Sequence, residues 1–537
     1  MDVQTRELRW WSLGLFAIVL LAIGLRLHGI HNPILDHPNW RQGDTASIAR
    51  NFARLNYNIL YPQTNYDGPP PNYVELELQI VPFLAASLYK IFGVHAIFGR
   101  LISLAFSVGC VAVVGLFARW LFRSSLAGLI AAFFFAVFPG SVYYGRTFTP
   151  DTTMVFFLTA ALYATSRLLL EDETLAPRPL ARAAALVVFA YLAKPVSVAG
   201  IVPILGVTWE RLRLGKPTRP TALLVLLVVP LIILALYTQR VNAHAEWHWA
   251  SAITTLHVIP ALKATLTTGS GFALKWSQFV TVIGMLRDTM LGSVAFLLTI
   301  AGFIALPWLQ ARSKALLWGW LVGGLAYTYV VVTVERVDYY MYLLLPLCAL
   351  VIGGALSGFL DALRNVSMER LPRYAAAALV PVAALASLVQ GRAAVAPYYR
   401  YSAPAYHNAV ILSKALAPKA LVVMGHYGPD VLYYIDRYGW EEDPALWTPF
   451  DEESAIRKGA RYFISVEDHR LRANADLCAW LQRFPLLQTT ATWPVYVTDP
   501  AKELPGGEAF WRAYRTASAR GAGRAFLTAH HRCMTRM

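Results

Sequence analysis

Charge is scarce in this sequence: Asp, Glu, Lys and Arg make up 15% of its 537 residues, against about 25% in a soluble domain. That shortage excludes an ordinary soluble globule. Together with 57% hydrophobic residues and a mean hydropathy of +0.46, it marks an integral membrane protein. Cysteine is scarcer still. Cys110, Cys348, Cys478 and Cys533 are the only four, too few for a disulfide scaffold and wrongly spaced for a thiolate metal cluster. One bridge, Cys478 to Cys533, remains open. Acids are also short, 32 against 47 Lys and Arg, giving a formal net charge of +15. The cations are spread over loops rather than gathered in one patch, so no nucleic-acid partner is expected. Heptads, low-complexity tracts and strong internal duplication are missing, and the last of these speaks against a transporter built from inverted repeats.

What the sequence has is long apolar runs. Runs of the roughly 20 residues needed to span a bilayer begin near Trp10, Leu101, Leu126, Thr153, Ala183, Val196, Thr221, Thr289, Ala315, Tyr340 and Tyr374, so about 11 spans are expected. The first ends in Leu25-Arg26-Leu27 without a small-residue cleavage motif and reads as an uncleaved anchor. Leu78 to Gly93 decides the topology. If this stretch does not cross, the inner loops hold Arg6, Arg9, Arg119, Arg123, Arg178, Arg182, Arg211, Arg213, Lys216, Arg219, Arg312, Lys314, Arg364, Arg370 and Arg373. The short outer loops then hold little beyond Arg146, Lys194 and Arg336. Crossing would reverse that asymmetry, so the positive-inside rule makes Leu78 to Gly93 an amphipathic helix lying in the interface. The N-terminus is then inside and the C-terminus outside.

The expected architecture is an all-α polytopic membrane domain over 1–391, with outer loops at about 29–95 and 239–287 carrying short surface helices. A soluble α/β domain over 392–537 follows on the outer side. Its pattern reads as strands at Ala420 to Met424, Tyr462 to Val466 and Val495 to Thr498, with helices at Pro429 to Tyr438, Glu452 to Gly459 and Ala475 to Phe484. It contains no hydrolase elbow, P-loop or GxGxxG motif, so a packing, acceptor-docking or partner role is expected of it.

The chemistry-bearing residues gather on the outer side of this topology. The first loop opens His37-Pro-Asn-Trp40-Arg-Gln-Gly-Asp44-Thr, which puts Asp44 in the first turn of a helix, where a carboxylate also suits the helix dipole. The loop after the third span carries Tyr144, Arg146 and Asp151. Lys194-Pro195 follows the fifth span, Glu335-Arg336-Val-Asp338-Tyr339-Tyr340 precedes the tenth, and Glu75 and Glu77 stand at the start of the interfacial helix. Charges at membrane depth are costly and face a cavity or one another; singly, each can also be a snorkelling or mutually satisfied group. Carboxylates with Arg and Lys on the outer face of an apolar bundle suit one task. The cations neutralise a phosphate attached to a lipid tail, while a carboxylate takes a proton from an incoming nucleophile.

These segments resemble the GT-C fold membrane glycosyltransferases that use polyprenyl-phosphate-linked sugars, in the branch of the bacterial aminoarabinose transferases and the protein O-mannosyltransferases. The resemblance runs from about Trp10 to Gly354. It rests on Trp40-Arg-Gln-Gly-Asp44, the Glu77 to Gly93 helix, Tyr144-Gly-Arg146-Thr-Phe-Thr-Pro-Asp151, Lys194-Pro195, and Asp338-Tyr-Tyr with the following Leu345-Pro346. It implies an inverting glycosyltransferase with Asp44 as the catalytic carboxylate and Asp151 as the second acid. Arg146 and Lys194 would contact the lipid-linked phosphate, Arg336, Tyr339 and Tyr144 would line the donor site, and Glu77 or Glu75 would supply a further acid. The aminoarabinose transferases follow that acid with Lys-Pro-Pro, whereas Glu77 here is followed by Leu78-Gln79-Ile80.

Metal use stays open: Asp44, Asp151 and Glu77 could hold a divalent cation through oxygen ligands. The expected partners are a polyprenyl-phosphate-linked sugar, membrane lipids, and a glycolipid, glycan or protein acceptor with a hydroxyl or phosphate to modify. A transporter or flippase for a lipid-linked sugar is the alternative. The expected location is the bacterial cytoplasmic membrane, with the active site outside.

Overall fold

The structure is a computed structural model that describes residues 3–365 and 370–530. Among these residues seven helices are long and apolar enough to cross a bilayer, or up to eight if a bent pair counts as one span. The chain is a multi-pass membrane protein. The expected count of about 11 is not confirmed, and proline explains why. The run at Leu126 forms only Ser125–Val137, 13 residues, before Pro139 opens a new six-residue helix; at about 1.5 Å per residue that is about 20 Å. The run at Ala183 forms Pro177–Ala193 and stops at Lys194. Proline forces the residue before it out of the helical region, and Lys194 is extended at φ −163°, ψ 119°. A 3₁₀ turn and the 13-residue Ile201–Arg213 helix follow.

The chain divides into two compact units, and the division differs from the expected one. The first comprises 1–31, 75–244 and 248–399; the second comprises 32–74, 245–247 and everything from 400 onward. The first outer loop is thus split, and its larger part belongs with the soluble segment.

The first unit is the helical bundle, with one apolar core that includes Phe117, Phe135, Met154, Leu158, Trp320 and Tyr342. Its one fully buried cation in the first helix, Arg26, is saturated: the guanidinium donates to Ser107 Oγ, Ser141 Oγ and the carbonyls of Ala22 and Ala136. The interfacial stretch is a helix, Ile80–Phe92, with Val81, Ala85, Ala86 and Tyr89 buried. Leu84, Ile91 and Phe92 stay exposed, an apolar outer face suited to lipid. The second long loop is more helical than expected, with Trp249–Ala252, Ile259–Thr267 and Gly269–Met285. The last of these leads through a 110° bend into Ser293–Ala305. Gly292 sits at the bend with φ 80°, a left-handed conformation that costs little only for glycine.

The second unit contains a four-stranded mixed sheet of order β2-β1-β3-β4: β1 (Leu421–Gly425), β2 (Tyr438–Glu442), β3 (Ala460–Ile464) and β4 (Val495–Tyr496). β1 runs parallel to β2 and β3, with Leu421 opposite Tyr438 and Val422 opposite Tyr462; β4 is antiparallel to β3. Val423, Phe463, Leu477, Trp480 and Leu481 form its core. The expected helix from Pro429 ends at Ile435, where Asp436 turns left-handed, and the residues that follow make β2. Four helices were not foreseen: Ala403–Ala415, Asp468–Ala473, Gly507–Ala519 and Gly523–Ala529. Cys478 is disulfide-bonded and Cys110 and Cys348 are free, while Cys533 lies outside the described residues.

Candidate active site

In the helical bundle, Asp151 opens the Asp151–Glu171 helix and Lys194 ends the Pro177–Ala193 helix. Pro150 precedes Asp151 and Pro195 follows Lys194, so a proline stands beside each at its helix end. Lys194 Nζ lies 2.5 Å from Asp151 Oδ1, with Asp151 0% and Lys194 7% exposed. The ammonium also stands 4.4 Å from the Tyr340 ring and 5.2 Å from the Tyr339 ring, so its charge is met by a carboxylate and two π faces. Asp151 Oδ2 is buried without a hydrogen-bond partner among the described residues. A buried carboxylate oxygen left bare is expensive, and it is an open position for a donated hydrogen bond.

Aromatic rings continue the cluster. Tyr339 lies 5.0 Å from Tyr340 and 5.6 Å from Tyr144, centroid to centroid. Tyr144 donates to Asp338 Oδ1 at 2.5 Å, while Tyr398 and Thr289 donate to Asp338 Oδ2 at 2.6 and 2.8 Å. Asp338 therefore anchors the tyrosine layer. Four expected residues, Asp151, Lys194, Tyr339 and Tyr144, come together in this way. Arg146 is fully buried one ring further on, donating to the Gly29 carbonyl at 2.9 Å and stacked on Tyr143 and Tyr399. Glu75 accepts from the Ser251 amide and hydroxyl at 3.2 and 3.0 Å, and His248 lies 4.0 Å away. Glu77 is buried nearby in sequence, next to the Leu76 carbonyl that Tyr237 binds. Arg336 is exposed on a left-handed turn, φ 52°.

Asp44 belongs to the other unit. Its helix, Asn39–Arg54, starts after the His37-Pro38 bond, so Asp44 falls in the second turn rather than the first and does not cap. Its carboxylate is held from two sides instead. Arg41 Nη1 lies 2.6 Å from Oδ2 and the Tyr66 hydroxyl donates to Oδ1 at 2.9 Å; Asp44 is 1% exposed.

Around this pair the second unit gathers acids. Burial, then the Asp44 charge, raises Asp67 to about 6. Burial and the charges of Asp67 and Asp451 raise Glu442 to about 7, and burial with Asp67, Glu442, Asp430 and Asp44 nearby pushes Glu441 well up. The Tyr66 phenol is likewise raised by burial and by Asp44. Burial pulls His426 down, but Asp430 and Glu467, each 3.4 Å from a ring nitrogen, outweigh it and leave it raised. Among the described residues no three His, Cys, Asp or Glu side chains are arranged to hold a metal ion.

Sequence reasoning missed Tyr66, Asp67, His426, Asp430 and Glu441 as neighbours of the Asp44 turn. Only Arg41, three residues before Asp44 on the same helix face, carried a local signal.

The apolar helical bundle with its small mixed α/β sheet has the GT-C fold. Solved structures of that fold align over nearly the whole chain. The archaeal oligosaccharyltransferase AglB from Archaeoglobus fulgidus, in complex with an inhibitory peptide and a dolichol-phosphate, matches with a TM-score of 0.57 at 15% identity, over 92% of this chain and 75% of that one. ArnT from Cupriavidus metallidurans bound to undecaprenyl phosphate matches with a TM-score of 0.57 at 13% identity, over 92% of this chain and 99% of that one. The same ArnT in the apo state gives 0.56 at 14% identity, over 93% and 99%. Residues 79–237 match the family model described as dolichyl-phosphate-mannose-protein mannosyltransferase. No curated protein matches the sequence.

Proposed function

We propose that the protein is an inverting glycosyltransferase that moves a sugar from a polyprenyl-phosphate donor, of the undecaprenyl type, to a hydroxyl or phosphate of a glycolipid, polysaccharide or protein acceptor. The reading includes the outer face of a bacterial cytoplasmic membrane as the place of reaction, with the N-terminus inside. The observation that carries it is the buried Asp151–Lys194 pair with its tyrosine layer, in a fold whose solved relatives were captured with polyprenyl phosphates.

Lys194 offsets the charge that develops on the phosphate as it leaves. Asp151 holds the ammonium in place and, through its open oxygen, orients a hydroxyl of the donor sugar or the acceptor. Tyr144 and Tyr339 line the donor side, with Arg146, Arg336 and an acid from Glu75 or Glu77 completing the assigned binding residues. Asp44 removes the acceptor proton as the new glycosidic bond forms; one displacement inverts the anomeric centre and needs no covalent sugar intermediate. The test is consumption of a panel of undecaprenyl-phosphate sugars by membranes containing wild type or Asp44→Asn at matched expression. Removing a general base costs about 10²–10⁴-fold. Unchanged turnover in Asp44→Asn removes Asp44 from the mechanism, and labelled lipid crossing the membrane without transfer replaces the enzyme with a flippase.

A further inference from the structure

The helix that carries Asp44 is fastened to the soluble segment at three successive levels. At its start Asn39 Nδ2 donates to Asp430 Oδ2 at 2.8 Å. One turn on, Gly43 lies directly against the Asp430 backbone: a Cβ added there would stand 2.5 Å from both the nitrogen and the Cα of Asp430. Backbone at that distance cannot give as a flexible side chain can, so only glycine lets the two helices approach so closely. Two turns further, Arg50, 3% exposed, donates to the Tyr433 carbonyl at 2.7 Å. Its guanidinium lies 4.5 Å over the Tyr433 ring and 2.8 Å from Asp436 Oδ1.

The loop that brings Tyr66 to Asp44 is fastened to the same segment. Asn51 Nδ2 donates to the Gln63 carbonyl and to Asn65 Oδ1 at 2.8 and 3.0 Å, and its Oδ1 accepts from the Tyr438 hydroxyl at 2.7 Å. Asn65 Nδ2 donates to the Arg437 carbonyl at 3.1 Å, and Gly68 and Gly439 form a bridge in which the Gly68 amide donates to the Gly439 carbonyl at 2.8 Å. Helix and loop thus share one mounting, and both meet it through buried groups: Asn51 is 1% and Asp430 2% exposed. A domain that only docked an acceptor would not need to hold the first loop in register along its length.

We propose that the soluble C-terminal segment is the positioning element for the Asp44 carboxylate, with Gly43, Arg50 and Asp430 as positioning residues and the 429–439 stretch as the platform. This rests on the reading of Asp44 as the base in the proposed transfer. A carboxylate acting at hydrogen-bond range is sensitive to its mounting, since a displacement of about 1 Å costs about 10²-fold in rate. Donor binding, assigned to residues of the helical bundle, does not depend on the mounting.

The experiment uses the full chain in lipid nanodiscs. For wild type, Gly43→Ala, Arg50→Ala, Arg50→Lys and Asp44→Asn, kcat and KM are measured with the undecaprenyl-phosphate sugar that the wild type consumes, alongside binding of undecaprenyl phosphate itself and the thermal midpoint. Gly43→Ala and Arg50→Ala are expected to lower kcat about 10²-fold, leaving donor KM and undecaprenyl phosphate affinity unchanged. Arg50→Lys regains part of kcat, because lysine can still donate to the Tyr433 carbonyl but loses the planar stack. If Gly43→Ala does not fold, the Arg50 pair decides. Wild-type kcat in folded Arg50→Ala, or a loss that appears in donor KM rather than kcat, overturns the positioning role while Asp44→Asn, if inactive, leaves the transfer reading standing. Turnover retained in Asp44→Asn, or none by the wild type with any donor, overturns the transfer reading and this inference with it.

Discussion

Asp151 and Asp44 are both almost fully buried, yet their surroundings are opposite in kind. Asp151 is met by a lysine ammonium and stands beside π faces in an apolar bundle. Asp44 is met by an arginine that is itself 12% exposed and by a phenol, and beyond them stand further carboxyl groups, three of them raised. The first environment cancels a charge. The second accumulates protons around one. A group that must bind an anionic phosphate needs a fixed cation held by a fixed acid, whereas a group that must take up a proton benefits from strong, adjustable acceptors nearby.

The most severe way to break this contrast is to remove the cation. Lys194→Met leaves Asp151 buried and uncompensated, and breaking one side of a buried pair costs about 3–5 kcal/mol, to be read as a drop in thermal midpoint together with lost undecaprenyl phosphate binding. Adding Asp151→Asn to Lys194→Met removes the orphaned charge. The double variant should regain most of the stability and none of the phosphate binding. Equal stability of the single and double variants would mean that the pair is not what holds this end of the bundle.

The corresponding change at Asp44 is gentler. Tyr66→Phe deletes one hydrogen bond to a carboxylate, a contribution of about 1.5–3 kcal/mol, without leaving a buried donor behind. Turnover should fall about 10- to 100-fold at constant donor KM. A change in donor KM instead would move Tyr66 to the donor side.

The acid cluster also fixes the sign of a pH effect. Asp67 and Glu442 have ordinary values of 3.8 and 4.5 and are raised to about 6 and about 7 in the fold. These two groups therefore hold more protons in the folded than in the unfolded chain between about pH 4 and pH 7, and their contribution to stability falls as pH rises through that window. The groups that face them are Asp44 and Lys458 for Asp67, and Asp67 and Asp451 for Glu442. The thermal midpoint of the full chain should be higher at pH 5 than at pH 8, and Asp67→Asn with Glu442→Gln should flatten the difference. A midpoint that rises with pH would show that the cluster is neutralised by something other than protons.

Legibility followed the range of the interactions. Ile80–Phe92 is a helix where the charge asymmetry of the whole chain led an amphipathic one to be expected. The count of about 11 spans is not confirmed, because hydropathy registers the Leu126 and Ala183 runs but not the helix breaks at Pro139 and Pro195. Asp151, Lys194 and Tyr339, which the fold brings together, stand at the ends of apolar runs, a position that a linear reading preserves. The Asp44 surroundings were not, since Asp430, Tyr433 and Glu441 meet the first loop from nearly 400 residues away. The expected helix ran on to Tyr438 and β2 was missed, because nothing local announces the left-handed turn at Asp436.

That turn supplies the smallest test. Asp436 Oδ1 lies 2.8 Å from an Nη1 of each of two arginines of the Asn39–Arg54 helix, but Arg50 has 4% of its side chain exposed and Arg54 48%. Burial and the two arginines act on Asp436 in opposite directions, and the arginines prevail, holding it below the usual carboxylate range. An exposed pair contributes about 0–1 kcal/mol, while Arg50 also carries the Tyr433 carbonyl and ring. Arg54→Ala should therefore lower the thermal midpoint slightly, lose even that effect in high salt, and leave kcat at the wild-type level. If Arg54→Ala slowed turnover as much as Arg50→Ala, the charge on Asp436 would be what holds the helix, and the buried contact with Tyr433 would be incidental to it.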